Sequence, residues 1–198
     1  MGLVRFGPPT ELIFQLRSAF SIDSFIETGT YRGDTAFWAA GQFAHVVTLE
    51  GSEKVFAYAS ARLKDLPNVR VLHANSSEAL PKIIPMLPKP AIFWLDAHWC
   101  GGPTFGQEID NECVLLSELR AIHASPHQHF ILIDDARLFL APPPRPHKPA
   151  QWPTIEQVIA AIRQGPREYY IAIFEDVIIA VPMAAKEIIV QHCQTRGR

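Results

Sequence analysis

Strand-length apolar runs alternate with helix-length amphipathic segments along nearly the whole chain. No other feature narrows the choice of fold as much. A strand followed by a helix before the next strand pairs in parallel, through crossovers that cover both faces of the sheet. A first helix is expected over Thr10–Phe20, behind Pro8 and Pro9, with Leu12, Ile13, Leu16 and Ala19 on one face. Strands are expected at Ser24–Glu27, His45–Glu50, Val69–His73, Ala91–Leu95 and Phe130–Ile133. Helices fall near Thr35–Ala40, at Glu53–Leu63 with Phe56, Ala59, Ser60 and Leu63 on one face, and from about Glu108 to Ala124. Ser77–Ile84 can form only a short helix, interrupted by Pro81 and stopped by Pro85. Ala91–Leu95 is wholly apolar, as suits a strand covered on both faces. After a helix over Thr154–Arg163, Tyr169–Phe174 and Val177–Val181 read as an edge hairpin turned by Glu175-Asp176. The expectation is a doubly wound α/β (Rossmann-like) sheet of seven strands, mostly parallel, with a C-terminal antiparallel hairpin. No linker or repeat divides residues 1–198, so one domain is expected, its N-terminal helix lying within residues 1–22.

Composition removes several function classes. The 198 residues are 48% hydrophobic and 19% charged, enough to bury about 70% of the unfolded surface without a disulfide or metal staple. With 18 Lys and Arg against 20 Asp and Glu, the net charge of −2 argues against a nucleic-acid partner, whose phosphates call for clustered cations. Cys100, Cys113 and Cys193 are odd in number and unpaired in spacing, which fits free thiols and a reducing compartment. The most apolar stretch, Tyr169–Pro182, contains Glu175 and Asp176 and is too short to cross a bilayer. No membrane partner is expected. Arg5, Pro8, Pro9 and Glu11 break up any leader-like apolar region, so the cytoplasm is the expected location.

Ligands of open α/β sheets bind beyond the carboxyl ends of the strands. The polar residues at those ends form a set: Glu27-Thr28-Gly29-Thr30-Tyr31-Arg32-Gly33 after the first strand, Glu50-Gly51 after the second, Asn75-Ser76 after the third, Asp96-Ala97-His98 after the fourth and Asp134-Asp135 after the fifth. A dinucleotide fingerprint needs G-x-G-x-x-G to seat a pyrophosphate on a helix N-terminus. Here the turn reads E-x-G-x-x-x-G, with Tyr31 in place of the middle glycine. A ligand that has an ammonium and lacks a pyrophosphate fits better, with Glu27 facing the cation and Gly29 allowing close approach of the backbone. Glu50, 21 positions after Gly29, stands where an acid hydrogen-bonds a ribose hydroxyl.

These residues resemble those of the class I S-adenosylmethionine-dependent methyltransferases. The likeness runs roughly from Phe25 to Phe139 and rests on FIETGTYRG, VVTLEG, VRVLHANSSEAL and WLDAHW. It implies that Glu27, Gly29, Thr30, Tyr31 and Gly33 hold the methionine part of the cofactor, Glu50 and Gly51 its ribose, and Ser76 its adenine side, with Asp96 at the same site. A narrower resemblance is to metal-dependent O-methyltransferases of the catechol and antibiotic-sugar types, because LDAHW is followed, 38 residues after Asp96, by IDDAR. It implies a divalent cation held by Asp96, Asp134 and Asp135, and a small-molecule hydroxyl as acceptor. A homodimer is also implied. The chemistry agrees: a cation lowers the pKa of a bound hydroxyl and aligns it with the methyl sulfonium, and an all-carboxylate site suits Mg²⁺. Where the catechol type has a lysine three residues after its first aspartate, this chain has Trp99, which leaves His98 as the nearest proton acceptor, with Asp96 beside it.

Other readings remain open on the residues alone. A metal-independent methyltransferase, a non-catalytic cofactor-binding module and a nucleotide-dependent oxidoreductase share parts of this pattern. His123, His127 and His129 read as surface histidines rather than a zinc site. Trp94 reads as core. Trp99 and Trp152, ahead of Phe105, read as acceptor-pocket residues, and the segments 100–107 and the Pro-rich 140–153 are expected to close over the substrate.

Overall fold

The computed structural model describes residues 7–102, 104–106 and 109–196. Seven strands, β1 (Ser24–Thr28), β2 (His45–Glu50), β3 (Val69–His73), β4 (Ile92–Leu95), β5 (Phe130–Ile133), β6 (Tyr169–Phe174) and β7 (Val177–Pro182), form one sheet in the order β3-β2-β1-β4-β5-β7-β6. All neighbours are parallel except β7, which runs antiparallel to both β5 and β6. Glu175 and Asp176 both take positive φ (46° and 69°), as the tight turn between β6 and β7 requires. The doubly wound expectation therefore holds, hairpin included.

The two-residue period of the strands splits the core into two layers. Phe25, Ile92, Trp94, Phe130, Leu132, Val177 and Ile179 face one side, against α1 (Thr10–Phe20), α2 (Asp34–Ala40), α3 (Glu53–Leu63) and α8 (Lys186–Arg196). Ile26, Phe93, Leu95, Ile131, Ile133, Ile178 and Ala180 face the other, against α4 (Ser76–Ile83), α5 (Leu115–His123), α6 (Arg137–Leu140) and α7 (Ile155–Arg163). Trp94 and Phe93 are wholly buried on opposite faces. Burying a large apolar side chain stabilises by about 1.5–3 kcal/mol, so β4, with four such residues, anchors both layers.

Three elements differ from expectation. The helix drawn from Glu108 to Ala124 is α5, Leu115–His123; Glu108 lies outside the described residues. Asp110 takes a left-handed φ of 49°, and residues 112–113 pair with 98–99 instead of coiling: Trp99 N donates to the Glu112 carbonyl (2.8 Å) and His98 bridges Cys113. In α3 the buried face is Val55, Ala59 and Leu63, while Phe56 stacks on His73 with ring centres 4.9 Å apart. The chain after Pro182, to which the sequence assigned no element, forms α8. His129 is not at the surface. It is fully buried, with Nδ1 accepting from Ala91 N (3.0 Å) and Nε2 bonded to the Ser125 hydroxyl (2.7 Å), so burial pushes its pKa down to about 4. The three cysteines are free, and among the described residues no helix is long and apolar enough to cross a membrane.

Candidate functional site

The strand order reverses direction between β1 and β4, which opens a crevice beyond their carboxyl ends. A cleft of about 560 Å³ occupies it. Its lining brings together Glu27, Gly29, Thr30, Tyr31, Glu50, Gly51, Ser76, Asp96, His98, Asp134 and Asp135, residues contributed by four strand ends and the start of α4. Gly33 is not among them. It is buried at the start of α2 with a φ of 78°, and its missing side chain makes room for Leu63. Gly29 is where β1 and β4 nearly touch: with a φ of 86°, a side chain there would overlap the Asp96 carbonyl.

At one end of the cleft the acids are tied to backbone and hydroxyls. Thr48 Oγ1 donates to Glu27 Oε2 (2.6 Å), and Thr30 lies 2.6 Å from the same hydroxyl. Glu27 is buried, and desolvation lifts its pKa to about 8 despite the Thr48 bond, so it is mostly neutral at pH 7. Glu50 accepts from Tyr31 N through Oε2 and from Ser52 N through Oε1, each at 2.9 Å, with burial again raising its pKa. The Asn75 side chain caps α4 by accepting from Ser77 N (3.1 Å), which sets Ser76 at the cleft wall. Phe105 crosses from the opposite rim, and its ring occupies the space that a side chain at Gly51 would need.

The other end is acidic. His98 Nε2 donates to Asp135 Oδ2 at 2.7 Å and lies 3.8 Å from Asp96 Oδ1. The Asp96, His98 and Asp135 donor atoms all lie within 4.8 Å of one another, an arrangement able to hold a metal ion. Asp134, expected as a third carboxylate ligand, is not in this group: its Oδ1 accepts from Asp135 N (2.7 Å), which stabilises the turn in which Asp135 takes a φ of 57°. Arg137, which sequence reasoning missed, pairs with Asp135 and with Asp176 of the β6–β7 turn. Its only sequence signal was its place two residues beyond the acid pair. Burial raises Asp96 well above the usual carboxylate range and, with the Asp135 charge, lifts Asp134 to about 7. Burial works the same way on Asp135, but the His98 bond and the Arg137 charge outweigh it and hold Asp135 low. His98 is raised because its Asp135 bond and the acids around it overcome the cost of burial.

Trp99 and Trp152 are buried and do not line the cleft; of the aromatic pocket candidates only Phe105 does. Trp152 Nε1 donates to Glu112 Oε2 (2.8 Å), which also accepts from Lys148 N (3.0 Å) and meets His147 Nδ1 at 3.3 Å. The Pro-rich segment is thus pinned at residues 147–152 rather than hanging over the opening.

No family model and no curated protein matches the chain. Solved structures do. An O-methyltransferase of Bacillus cereus in complex with S-adenosylhomocysteine (SAH) is 18% identical, covering 88% of this chain and 82% of that one with a TM-score of 0.59. The SAH-bound methyltransferase PaMTH1 of Podospora anserina is 19% identical, covering 87% and 76%, with a TM-score of 0.60. A 23S rRNA methyltransferase is 11% identical, covering 92% and 70%, with a TM-score of 0.53. Identities this low speak to architecture and not to acceptor: the chain has the doubly wound α/β fold found in S-adenosylmethionine-dependent methyltransferases.

Proposed function

We propose that the protein transfers a methyl group from S-adenosylmethionine to a hydroxyl oxygen of a small molecule, with a divalent cation assisting. The observation that carries this reading is the convergence of Glu27, Glu50, Ser76 and Asp96 on one cleft at the sheet's switch point. Glu27 would face the cofactor's ammonium, and Glu50, already oriented by two backbone amides, would accept from the ribose hydroxyls. Gly29 and Thr30 let the first loop approach the methionine part, with Tyr31 beside them; Gly51 and Ser76 bound the adenosine end. Asp96 and Asp135 would hold the cation, the buried Asp134 supporting Asp135 through its backbone bond. A cation bound there supplies charge that lowers the acceptor hydroxyl's pKa. His98 lines the cleft with its Nε2 hydrogen-bonded to Asp135, and a proton-acceptor role for it forms no part of this reading. The net charge of −2 favours a small-molecule acceptor over RNA.

The test is transfer of labelled methyl from S-adenosylmethionine across a panel of phenols and sugar alcohols, with SAH binding followed by calorimetry. SAH binding without transfer to any acceptor fits the non-catalytic module; absence of SAH binding sinks the proposal. One observation favours a metal-independent variant: His98 and Arg137 already neutralise Asp135. Activity that survives a chelator would decide for it.

A further inference from the structure

We infer that His98 is itself a ligand of the cation, through Nε2, and that the centre formed by Asp96, His98 and Asp135 takes a borderline transition ion of the Mn²⁺, Fe²⁺ or Co²⁺ class in preference to Mg²⁺. This rests on the cation-assisted reading above and departs from an all-oxygen centre. Two donors held about 2.1 Å from one ion at a right angle lie about 3.0 Å apart, and across the ion about 4.2 Å. His98 Nε2 stands 3.8 Å from Asp96 Oδ1, inside that span, and 2.7 Å from Asp135 Oδ2, slightly below the right-angle separation, so a bound ion takes the place of the proton now shared between them and widens the pair. The three groups come from the ends of β4 and β5, which are direct neighbours in the sheet, so their spacing is set by the ladder and not by a mobile loop.

The imidazole is also held in place by its packing. Its ring is buried, and the Trp152 ring packs edge-on against it with centres 5.3 Å apart. Trp152 is fixed in turn by Glu112, and the His98 backbone by the bridge to Cys113. A nitrogen among the donors shifts preference from Mg²⁺, which takes oxygen, toward ions that accept imidazole. Asp134 stands outside this group, with its Oδ1 accepting from the Asp135 amide.

The experiment uses the full chain with Mn²⁺ and Mg²⁺ as probes, in the presence and absence of SAH. Mn²⁺ binding is followed by loss of the free-ion paramagnetic resonance signal, and electron spin echo modulation reports ¹⁴N coupled to the bound ion. The expected result is Mn²⁺ bound at least about tenfold tighter than Mg²⁺, with ¹⁴N modulation present. In His98→Gln the modulation disappears and Mn²⁺ affinity falls about 10- to 100-fold. Mn²⁺ bound without ¹⁴N modulation, yet weakened by Asp96→Asn, overturns the His98 assignment and leaves the cation reading standing. Binding of neither ion with SAH present overturns both, and calorimetry with SAH then shows whether the cofactor half survives. Because the nitrogen signal is read on the wild-type chain, a His98→Gln variant that fails to fold does not spoil the test.

Discussion

Single residues at this site carry opposing demands, and two of them lend themselves to measurement. Glu27 is buried next to a site proposed for a cation, and desolvation holds its pKa at about 8 against an ordinary 4.5. A group raised in this way gives stability that is fully present below the unfolded pKa and is lost as pH rises through the folded one. Global stability should therefore fall between about pH 4.5 and 8, by up to about 4 kcal/mol from this group, and Glu27→Gln should flatten that slope in urea titrations. A cationic ligand should draw Glu27 into its ionised form, so SAH binding near pH 7 should release a proton, visible as a calorimetric enthalpy that varies with the buffer's ionisation heat. Equal enthalpies in phosphate and Tris would show that Glu27 does not respond to the ligand. Gly29 makes the second case. An added methyl at a φ of 86° would overlap the Asp96 carbonyl, and strain of that kind costs about 3 kcal/mol. For a chain of this length that lowers the melting temperature by roughly 6–12 °C. A Gly29→Ala protein that melts within a degree of wild type would mean that β1 and β4 can separate there freely.

At the scale of elements, legibility tracked how local the cause was. The strand ends and the bounds of α1, α4 and α7 sat in contiguous sequence, and the structure follows them to within a residue or so. Residues 109–114 did not, because what straightens them is pairing with 98–99 and docking of residues 147–152, contacts separated by up to 41 positions. The α8 segment escaped because its helical stretch carries little one-sided apolar pattern; only Ile189 and His192 are buried. Glu112 is the hinge of the missed region. It carries three neighbours that arrive from the Pro-rich segment, and truncating it leaves the buried Trp152 Nε1 unpaired. An unpaired buried donor costs about 1–3 kcal/mol, so Glu112→Ala should destabilise by about 1–3 kcal/mol. It should also raise hydrogen exchange across residues 140–153. If the segment is instead a mobile lid, exchange there will already be fast in the wild type and the variant will change little.

Considered as a whole, the molecule joins two half-sheets at β1 and β4, and the cleft straddles the join with acids of different duty at its two ends. The sequence showed which residues lie at strand ends but not which of them meet, since convergence depends on β4 lying beside both β1 and β5. That is why Asp96 and His98 find Asp135, while the adjacent Asp134 lines the same cleft with one oxygen bonded to the Asp135 amide. The same arrangement bears on ligand class. A pyrophosphate needs free amides in the first loop, yet the Tyr31 amide is already taken by Glu50 and its side chain reaches into the cleft. SAH should therefore stabilise the protein and NAD should not. A ligand that binds only the folded state at 100 times its dissociation constant adds about 2.7 kcal/mol, which for a chain of this size raises the melting temperature by roughly 5–11 °C. Scanning melts with SAH and NAD at matched concentrations separates the cases. A shift with NAD alone would mean that the Glu50 carboxylate yields the Tyr31 amide to phosphate and that the cleft serves a different cofactor.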